Sequence, residues 1–396
     1  MWQRIWQGRL VWLRLVLLLA VGLLVLIGVL TIYASTDPAD HYARRQLVFV
    51  ALGLAGLVVA NLIPYHALGR YSYGLFALAV VLLTLVLAGK YLHLKALVPP
   101  SHGACRWINL IPIESDSPLV NAAHLQPSEI AKLTYVLALA WYLRLRRNYR
   151  TFLGLLGPFL LTLLPMALIL LEPDLGTVLL FLPVLFAVLF AAGARVKHLL
   201  TIALLALAVV PVFYRFMMQD YQRERIAILL KQDTDDPYWL RGPGYQLHQS
   251  KVCIGSGGLT GHGLERSPYV RYRPWPHRHN DFIFTMVAHQ GGFLGALILL
   301  ILYLLVLLGG LVVAARQTEP FGRLLAVGVT ALLAAQMFVN VGMTTGLMPV
   351  TGITLPFVSY GGSSLLASFL ALGLLLNVAR FRPRRIAKPA FEFPDE

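Results

Sequence analysis

One carboxylate, Asp281, stands immediately before a long apolar run, in His279-Asn280-Asp281-Phe282-Ile283-Phe284. Burial at such a boundary raises a carboxyl pKa, while a neighbouring Arg or Lys lowers it. A carboxylate poised between these opposed effects is a candidate general base. The plainer role for Asp281 is to cap the helix that follows. The polar stretch leading up to it contains Tyr221-Gln222-Arg223-Glu224-Arg225 and Gly244-Tyr245-Gln246-Leu247-His248-Gln249-Ser250-Lys251, which supply cations and a hydroxyl: Arg223, Ser250 and Lys251. In Ile254-Gly255-Ser256-Gly257-Gly258 the backbone N–H groups could approach a pyrophosphate, although short glycine runs are common.

Three further segments carry polar chemistry. Gly103-Ala104-Cys105-Arg106-Trp107-Ile108 sets an indole beside a guanidinium. That pair reads either as an interfacial anchor or as a platform that stacks a sugar ring beside a phosphate-binding cation. Gln126-Pro127-Ser128-Glu129-Ile130-Ala131-Lys132-Leu133 opens with a proline suited to the first helical position. It places Glu129 and Lys132 at i, i+3 on one face, either as an ion pair that pins the helix or as groups on a substrate path. Glu172-Pro173-Asp174-Leu175-Gly176-Thr177 puts two carboxylates at a helix junction. Asp174 is a candidate divalent-metal ligand, because hard cations prefer oxygen, and equally a helix cap.

The elements that must hold these residues are apolar. Of 396 residues 58% are hydrophobic and 13% charged, and the mean hydropathy is +0.70. A soluble protein carries about 25% charged residues, so the composition excludes an ordinary soluble enzyme, a disordered chain and a free nucleic-acid binder. Two cysteines, Cys105 and Cys253, make neither a disulfide framework nor a metal cluster. Runs near 10–34, 46–63, 71–89, 127–143, 151–171, 175–193, 198–216, 282–313, 324–345 and 364–379 are long enough to cross ~30 Å of hydrocarbon. They must do so as helices, since open strands leave backbone groups unpaired in lipid. Pro158, Pro165, Pro183 and Pro211 inside these runs predict kinks. The first run is too long for a cleaved signal and reads as a retained span. The sequence therefore predicts an all-α polytopic membrane protein of about ten transmembrane helices. Residues 1–396 form a single membrane domain, with a long extracytoplasmic loop at 217–281 between the seventh and eighth spans and a cytoplasmic tail at 380–396.

Charge sets the orientation. With the N-terminus inside, 17 of the 33 Lys and Arg fall in inward segments and 5 in the short outward loops. The long loop is exempt from the positive-inside count, so both termini are expected in the cytoplasm. Of the 18 acids, 14 then lie in outward loops or at outer helix ends, and the polar chemistry faces outward. The net charge of +15 is read as a topology signal, not as nucleic-acid binding.

The stretches GACRWI, QPSEIAKL, EPDLGT, YQRERI, GYQLHQSKVCIGSGGLTGHG, HNDFIF and NVGMTTGLMPVTGITLPFVSYGGSS fall in one order along nearly the whole chain. In that order they resemble the SEDS family of bacterial membrane proteins (shape, elongation, division and sporulation). GYQLHQSK and residues 340–364 look more like its RodA branch than its FtsW branch, and EPDLGT is mixed.

The resemblance implies a GT-C-like SEDS fold in the bacterial cytoplasmic membrane. It also implies a peptidoglycan glycosyltransferase that polymerises lipid II during elongation and shape maintenance and releases undecaprenyl pyrophosphate. The implied partners are a class B penicillin-binding protein that supplies the transpeptidase, the elongation or division machinery and membrane lipids; no nucleic acid is expected. Carried over motif by motif, Asp281 is the essential carboxylate, and Trp107, Glu129, Lys132 and Asp174 are the matching motif residues. With Arg106, Arg223, Ser250 and Lys251 these complete the expected site. Candidate cations for the leaving pyrophosphate are Lys132, Arg106 and Arg223, helped by Mg2+ or Mn2+; no organic cofactor is expected.

The chain departs from the family pattern at His277 and Asn280, where Glu and Thr are usual. It departs again at His289-Gln290-Gly291-Gly292, which stands in place of Glu-Glu-Leu-Gly. About ten extra residues lie near Glu114 to His124. The lost acids are those that a metal site or proton relay at these positions would have used. Competing classes are an FtsW-type division enzyme, a lipid II flippase, and a non-catalytic scaffold. A flippase predicts charged groups lining a path through the bilayer, whereas the acids here cluster at one face.

Overall fold

A computed structural model of the chain describes residues 2–36, 41–92, 98, 106–109, 124–146, 151–216, 218–232, 234, 236–264 and 279–380. Expectations that rest on Cys105, on the insertion at 114–123, on His277 and on the tail beyond 380 lie outside these residues.

The architecture is helical. Leu, Val and Ala dominate the long elements, and in lipid each such helix satisfies its own backbone. In chain order they are α1 (Trp2–Ser35), α2 (Tyr42–Leu62), the short α3 (Tyr65–Arg70), α4 (Ser72–Tyr91) and α5 (Pro127–Leu143). A 3-10 turn at Leu153–Leu155 leads into α6 (Leu156–Leu171), followed by α7 (Leu175–Ala192) and α8 (Val196–Phe216). The long loop folds into α9 (Asp220–Leu230), α10 (Pro237–Arg241) and α11 (Tyr245–Ser256). The chain then forms α12 (Ile283–Arg316), α13 (Pro320–Thr345) and α14 (Gly362–Arg380). A two-residue antiparallel ribbon, β1 (Ile108–Asn109) with β2 (His124–Leu125), pairs Ile108 with Leu125 and Asn109 with His124.

Among the described residues nine helices are long and apolar enough to span a membrane. The remaining expected run, 127–143, is the 17-residue α5, about 25 Å long at 1.5 Å per residue. It carries a buried Glu and Lys and is packed on almost every face. The bundle core runs through α14 against α2, α12 against α1 and α13, α13 against α7, and α4 against α5. Outward-facing leucines such as Leu200, Leu204 and Leu207 on α8 are exposed, as lipid contact requires.

Pro165, Pro183 and Pro211 sit within α6, α7 and α8. Among the described residues, non-helical backbone inside a helix falls at Gly292 of α12 (φ 62°, ψ −160°). That backbone conformation is essentially restricted to glycine. The backbone of residues 258–263 covers the break. Phe293 and Leu294 donate to the carbonyls of Gly258 and Leu259 at 2.9 and 3.1 Å, and His262 and Gly263 donate to those of His289 and Gln290 at 3.1 and 2.9 Å. The groups freed by the broken helix are thus paired with protein, as non-helical backbone at membrane depth must be. Cys253, on α11 beside this loop, is a buried thiol.

Candidate active site

The site is built at the bundle end where α6 stops, α7, α12 and α14 start, and α13 ends. Asp281 lies in the turn 279–282 that precedes α12. The backbone of this turn is suspended from residues 340–360. Asn340 Nδ2 donates to the Asp281 carbonyl at 2.7 Å and to the Ile353 carbonyl at 2.6 Å. Ser359 Oγ donates to the Asn280 carbonyl at 2.7 Å while accepting from Leu355 N–H at 2.7 Å, and Tyr360 N–H donates to His279. The His279 ring stacks on Tyr42 at 4.2 Å between centroids and meets Tyr360 edge-on. The Asn, Ser and Tyr of the 340–364 signature therefore fix the backbone on both sides of the carboxylate.

The Asp281 side chain is half-buried, neither sealed in the core nor free in solvent. Burial pushes its carboxyl up to about 6; the positive charges of Arg225 and Arg106 hold it down and the negative charge of Asp174 adds to the rise. Oδ2 lies 3.3 Å from where a Cβ would stand on Gly352, whose φ is 75°. Arg225 Nη1 donates to the Val350 carbonyl at 2.9 Å. Burial lowers the Arg225 pKa, as does its neighbour Arg106, while Tyr221, Asp174 and Asp281 raise it. A partly dehydrated guanidinium beside carboxylates is well suited to bind phosphate.

Arg106 faces the same cluster. Its Nε donates to the Glu172 carbonyl at 3.2 Å, and Nη2 donates to the Pro173 carbonyl. These carbonyls follow the C-terminus of α6, where the helix dipole favours a cation. Asp174 caps α7, accepting from Thr177 N–H at 3.2 Å and Thr177 Oγ1 at 2.9 Å. Glu172 is buried, with Oε1 lacking a hydrogen-bond partner among the described residues. Burial, then Asp174, raise its carboxyl to about 8 against the opposing pull of Arg106 and Lys90, so it is neutral at pH 7. Trp107 is half-buried beside Arg106 at the entry to β1.

The structure thus gathers Asp281, Arg106 and Asp174 from the sequence-derived set, and it places five others elsewhere. Lys132 Nζ meets Glu129 Oε1 at 2.7 Å, both buried among α5, α13 and α14; Lys132 is not among the charges acting on Asp281. Arg223 turns away, donating to the Tyr214 and Arg215 carbonyls at 3.1 Å each. Ser250 is fully buried, joining Thr285 Oγ1 at 2.6 Å and the Thr344 carbonyl at 2.7 Å, and so ties α11 to α12 and α13. Lys251 is exposed, its Nζ 3.4 Å from Gln232 Oε1.

Arg225 belongs to this cluster but not to the sequence-derived set. Helical spacing carried the signal: Tyr221 and Arg225 are four apart and share a face of α9, whereas Arg223 lies two residues from each and projects from the other side.

Asp174 acts electrostatically on Asp281, and its carboxylate oxygens are of the type that a divalent cation shared with a phosphate could use. Among the described residues no three His, Cys, Asp or Glu side chains form a self-sufficient metal cage.

Residues 8–384 match the family described as FtsW/RodA/SpoVE, cell cycle protein. The peptidoglycan glycosyltransferase MrdB of Escherichia coli K12 is 34% identical over 367 residues, covering 92% of this chain and 93% of that protein. A probable peptidoglycan glycosyltransferase FtsW of Geobacter metallireducens is 34% identical over 376 residues, with 92% and 94% covered. Among solved structures, a chain from a peptidoglycan synthase complex that coordinates polymerisation and crosslinking superposes with TM-score 0.75 at 33% identity, covering 92% of this chain and 96% of that one. The rod shape determining protein RodA of Thermus thermophilus superposes with TM-score 0.66 at 32% identity, covering 93% and 97%.

Proposed function

The chain belongs to the FtsW/RodA/SpoVE family of cell cycle proteins, and from that premise we propose that it is a peptidoglycan glycosyltransferase that polymerises lipid II at the Asp281 cluster. The observation that carries this reading is the convergence of one accessible carboxylate with two guanidinium groups at one end of an apolar bundle. Glycan extension needs a base for the acceptor 4-hydroxyl and positive charge for the departing pyrophosphate. Asp281 takes the hydroxyl proton as the oxygen attacks the anomeric carbon of the donor sugar. The bond from that carbon to the pyrophosphate breaks, and the charge left on undecaprenyl pyrophosphate falls to Arg225 and Arg106. Fixed cations in a site screened from water act with little reorganisation, and such stabilisation is often the largest catalytic contribution.

Trp107, beside Arg106, stacks on a sugar in this reading. A divalent cation, Mg2+ or Mn2+, would be held by Asp174 together with phosphate oxygens, where it would supply further positive charge to the pyrophosphate. The polyprenyl tail fits an apolar cleft of about 290 Å³ between α2, α4, α5 and α14, lined by Leu75, Leu125, Leu133, Leu137 and Leu370.

The protein is integral to the membrane. The excess of Lys and Arg at the end away from Asp281 supports cytoplasmic termini and an extracytoplasmic site. A class B penicillin-binding protein is the proposed crosslinking partner, by analogy with the coordinated activities of the synthase complex. A role in elongation and shape follows from the likeness to a rod shape determining protein, with division as the alternative.

The test is polymerisation of lipid II by the purified protein with its partner. The wild type is expected to make long glycan and Asp281→Asn, with unchanged melting temperature, none. Normal turnover by that variant would remove the base role.

A further inference from the structure

At the opposite end of the bundle the ends of α5, α7 and α13 enclose a second charged feature, an open cavity of about 280 Å³ lined by Arg144, Arg146, Arg323, Leu143, Leu145 and Pro320, among others. At ~30 Å³ per water this volume holds on the order of nine waters, enough for a phosphodiester group. On α13, Arg323 lies 17 residues from Asn340, the residue that holds Asp281. At 1.5 Å per residue that is about 25 Å along the axis, nearly the depth of the hydrocarbon. The cavity therefore lies at the other membrane surface from the Asp281 cluster.

The arginines are held in place. The Arg144 guanidinium packs over the Trp141 ring at 3.0 Å from the centroid, and that of Arg146 over Tyr142 at 4.1 Å. Arg146 Nη1 also donates to Tyr142 OH at 3.0 Å. Stacking fixes the plane of a guanidinium while its edge keeps N–H donors for an anion. Glu319, whose charge acts on Arg144, is already engaged: it accepts from Gly322 N–H at 2.7 Å as the cap of α13 and faces His66 at 3.8 Å. Three cations thus line one cavity, and no carboxylate is among its described lining residues.

The surroundings decide what kind of anion fits. Leu145, which lines the cavity between Arg144 and Arg146 in sequence, is 80% exposed, and Leu153 at the nearby start of the next span is 84% exposed. In the bilayer such side chains face acyl chains, so the cavity opens beside lipid rather than bulk water. We propose that this cavity is a binding site for the phosphate headgroup of an anionic phospholipid, held by Arg144, Arg146 and Arg323 in the leaflet away from the Asp281 cluster. Basic recesses between helix ends at a membrane surface have the chemistry for such lipids.

Native mass spectrometry of the delipidated full-length protein tests this, with phosphatidylglycerol, phosphatidylethanolamine and soluble glycerol phosphate as separate probes. Phosphatidylglycerol is expected to be retained in preference to phosphatidylethanolamine, and millimolar glycerol phosphate is expected not to displace it. Removing two surface cations with Arg146→Gln and Arg323→Gln should lower retention on the order of 25-fold, whereas Arg146→Lys with Arg323→Lys should stay within a few-fold of wild type. If the double Gln variant does not fold, Arg146→Gln alone, at an exposed side chain, should lose about fivefold. Undiminished retention by the Gln variants, equal retention of the zwitterionic lipid, or displacement by glycerol phosphate would each overturn the proposal.

Discussion

Arg225 and Asp281 are coupled through one short stretch of main chain. Arg225 holds the Val350 carbonyl at 2.9 Å, and two residues later Gly352 presents its bare Cα to Asp281 Oδ2. The cation and the carboxylate thus come from different helical elements and are set by the same loop, which belongs to the 340–364 signature.

That coupling has a pH signature. A base acts when deprotonated, and Asp281 lies at about 6. Polymerisation should therefore rise as pH increases through about 6 and level off above it. Arg225→Gln removes the positive charge with the larger effect in holding Asp281 down, so its midpoint should move to higher pH. Arg225→Lys should keep the wild-type midpoint. Initial rates on lipid II across pH 5 to 9 provide the check, and coincident profiles for wild type and the Gln variant would rule the coupling out.

Gly352 should not tolerate a side chain. Alanine at φ 75° costs about 1–3 kcal/mol in backbone strain, and its methyl would stand 3.3 Å from Asp281 Oδ2. Gly352→Ala is expected to lower kcat by tenfold or more while the melting temperature falls by only a few degrees. A variant that melts early yet turns over normally would contradict this.

The Glu129–Lys132 pair predicts a thermodynamic asymmetry. Removing one partner of a buried ion pair costs about 3–5 kcal/mol, because a lone charge remains, whereas replacing both with apolar residues can be neutral. Lys132→Met should therefore destabilise strongly, and Glu129→Leu with Lys132→Met should recover most of the melting temperature. If the double variant is stable but inactive, the pair also acts on substrate.

Glu172 ties stability to pH. Its folded pKa of about 8 exceeds the ordinary 4.5. The stabilisation from keeping it neutral is therefore complete below about 4.5 and is lost as pH rises through 8. Glu172→Gln should melt above wild type at pH 8.5, and the gap should narrow toward pH 5. Thermal melts at those two values suffice; a constant gap would place the carboxylate in water.

Much of the membrane architecture was legible because hydrocarbon imposes one rule on every span: apolar length must match bilayer depth. Asp281 and Asp174 were legible because each carries its charge at a helix boundary inside a distinctive motif, and Arg106 because it stands beside Trp107 in GACRWI. The neighbours of Arg223 and Ser250 were not, since YQRERI and GYQLHQSK name residue types without fixing which helix face turns inward. In α9 that rotation favours Arg225, and in α11 it buries Ser250 as a staple between helices. The break at Gly292 was not legible, because the residues that cover it, 258–263, come from a segment distant enough in sequence to leave no local signal.

The interruption at Gly292 makes α12 a jointed rod. Loop 258–263 splints it, bonded to the shorter arm through the His289 and Gln290 carbonyls and to the longer arm through Phe293 and Leu294. The angle between the catalytic end and the lipid-facing shaft is thereby set by protein backbone rather than by the surrounding bilayer.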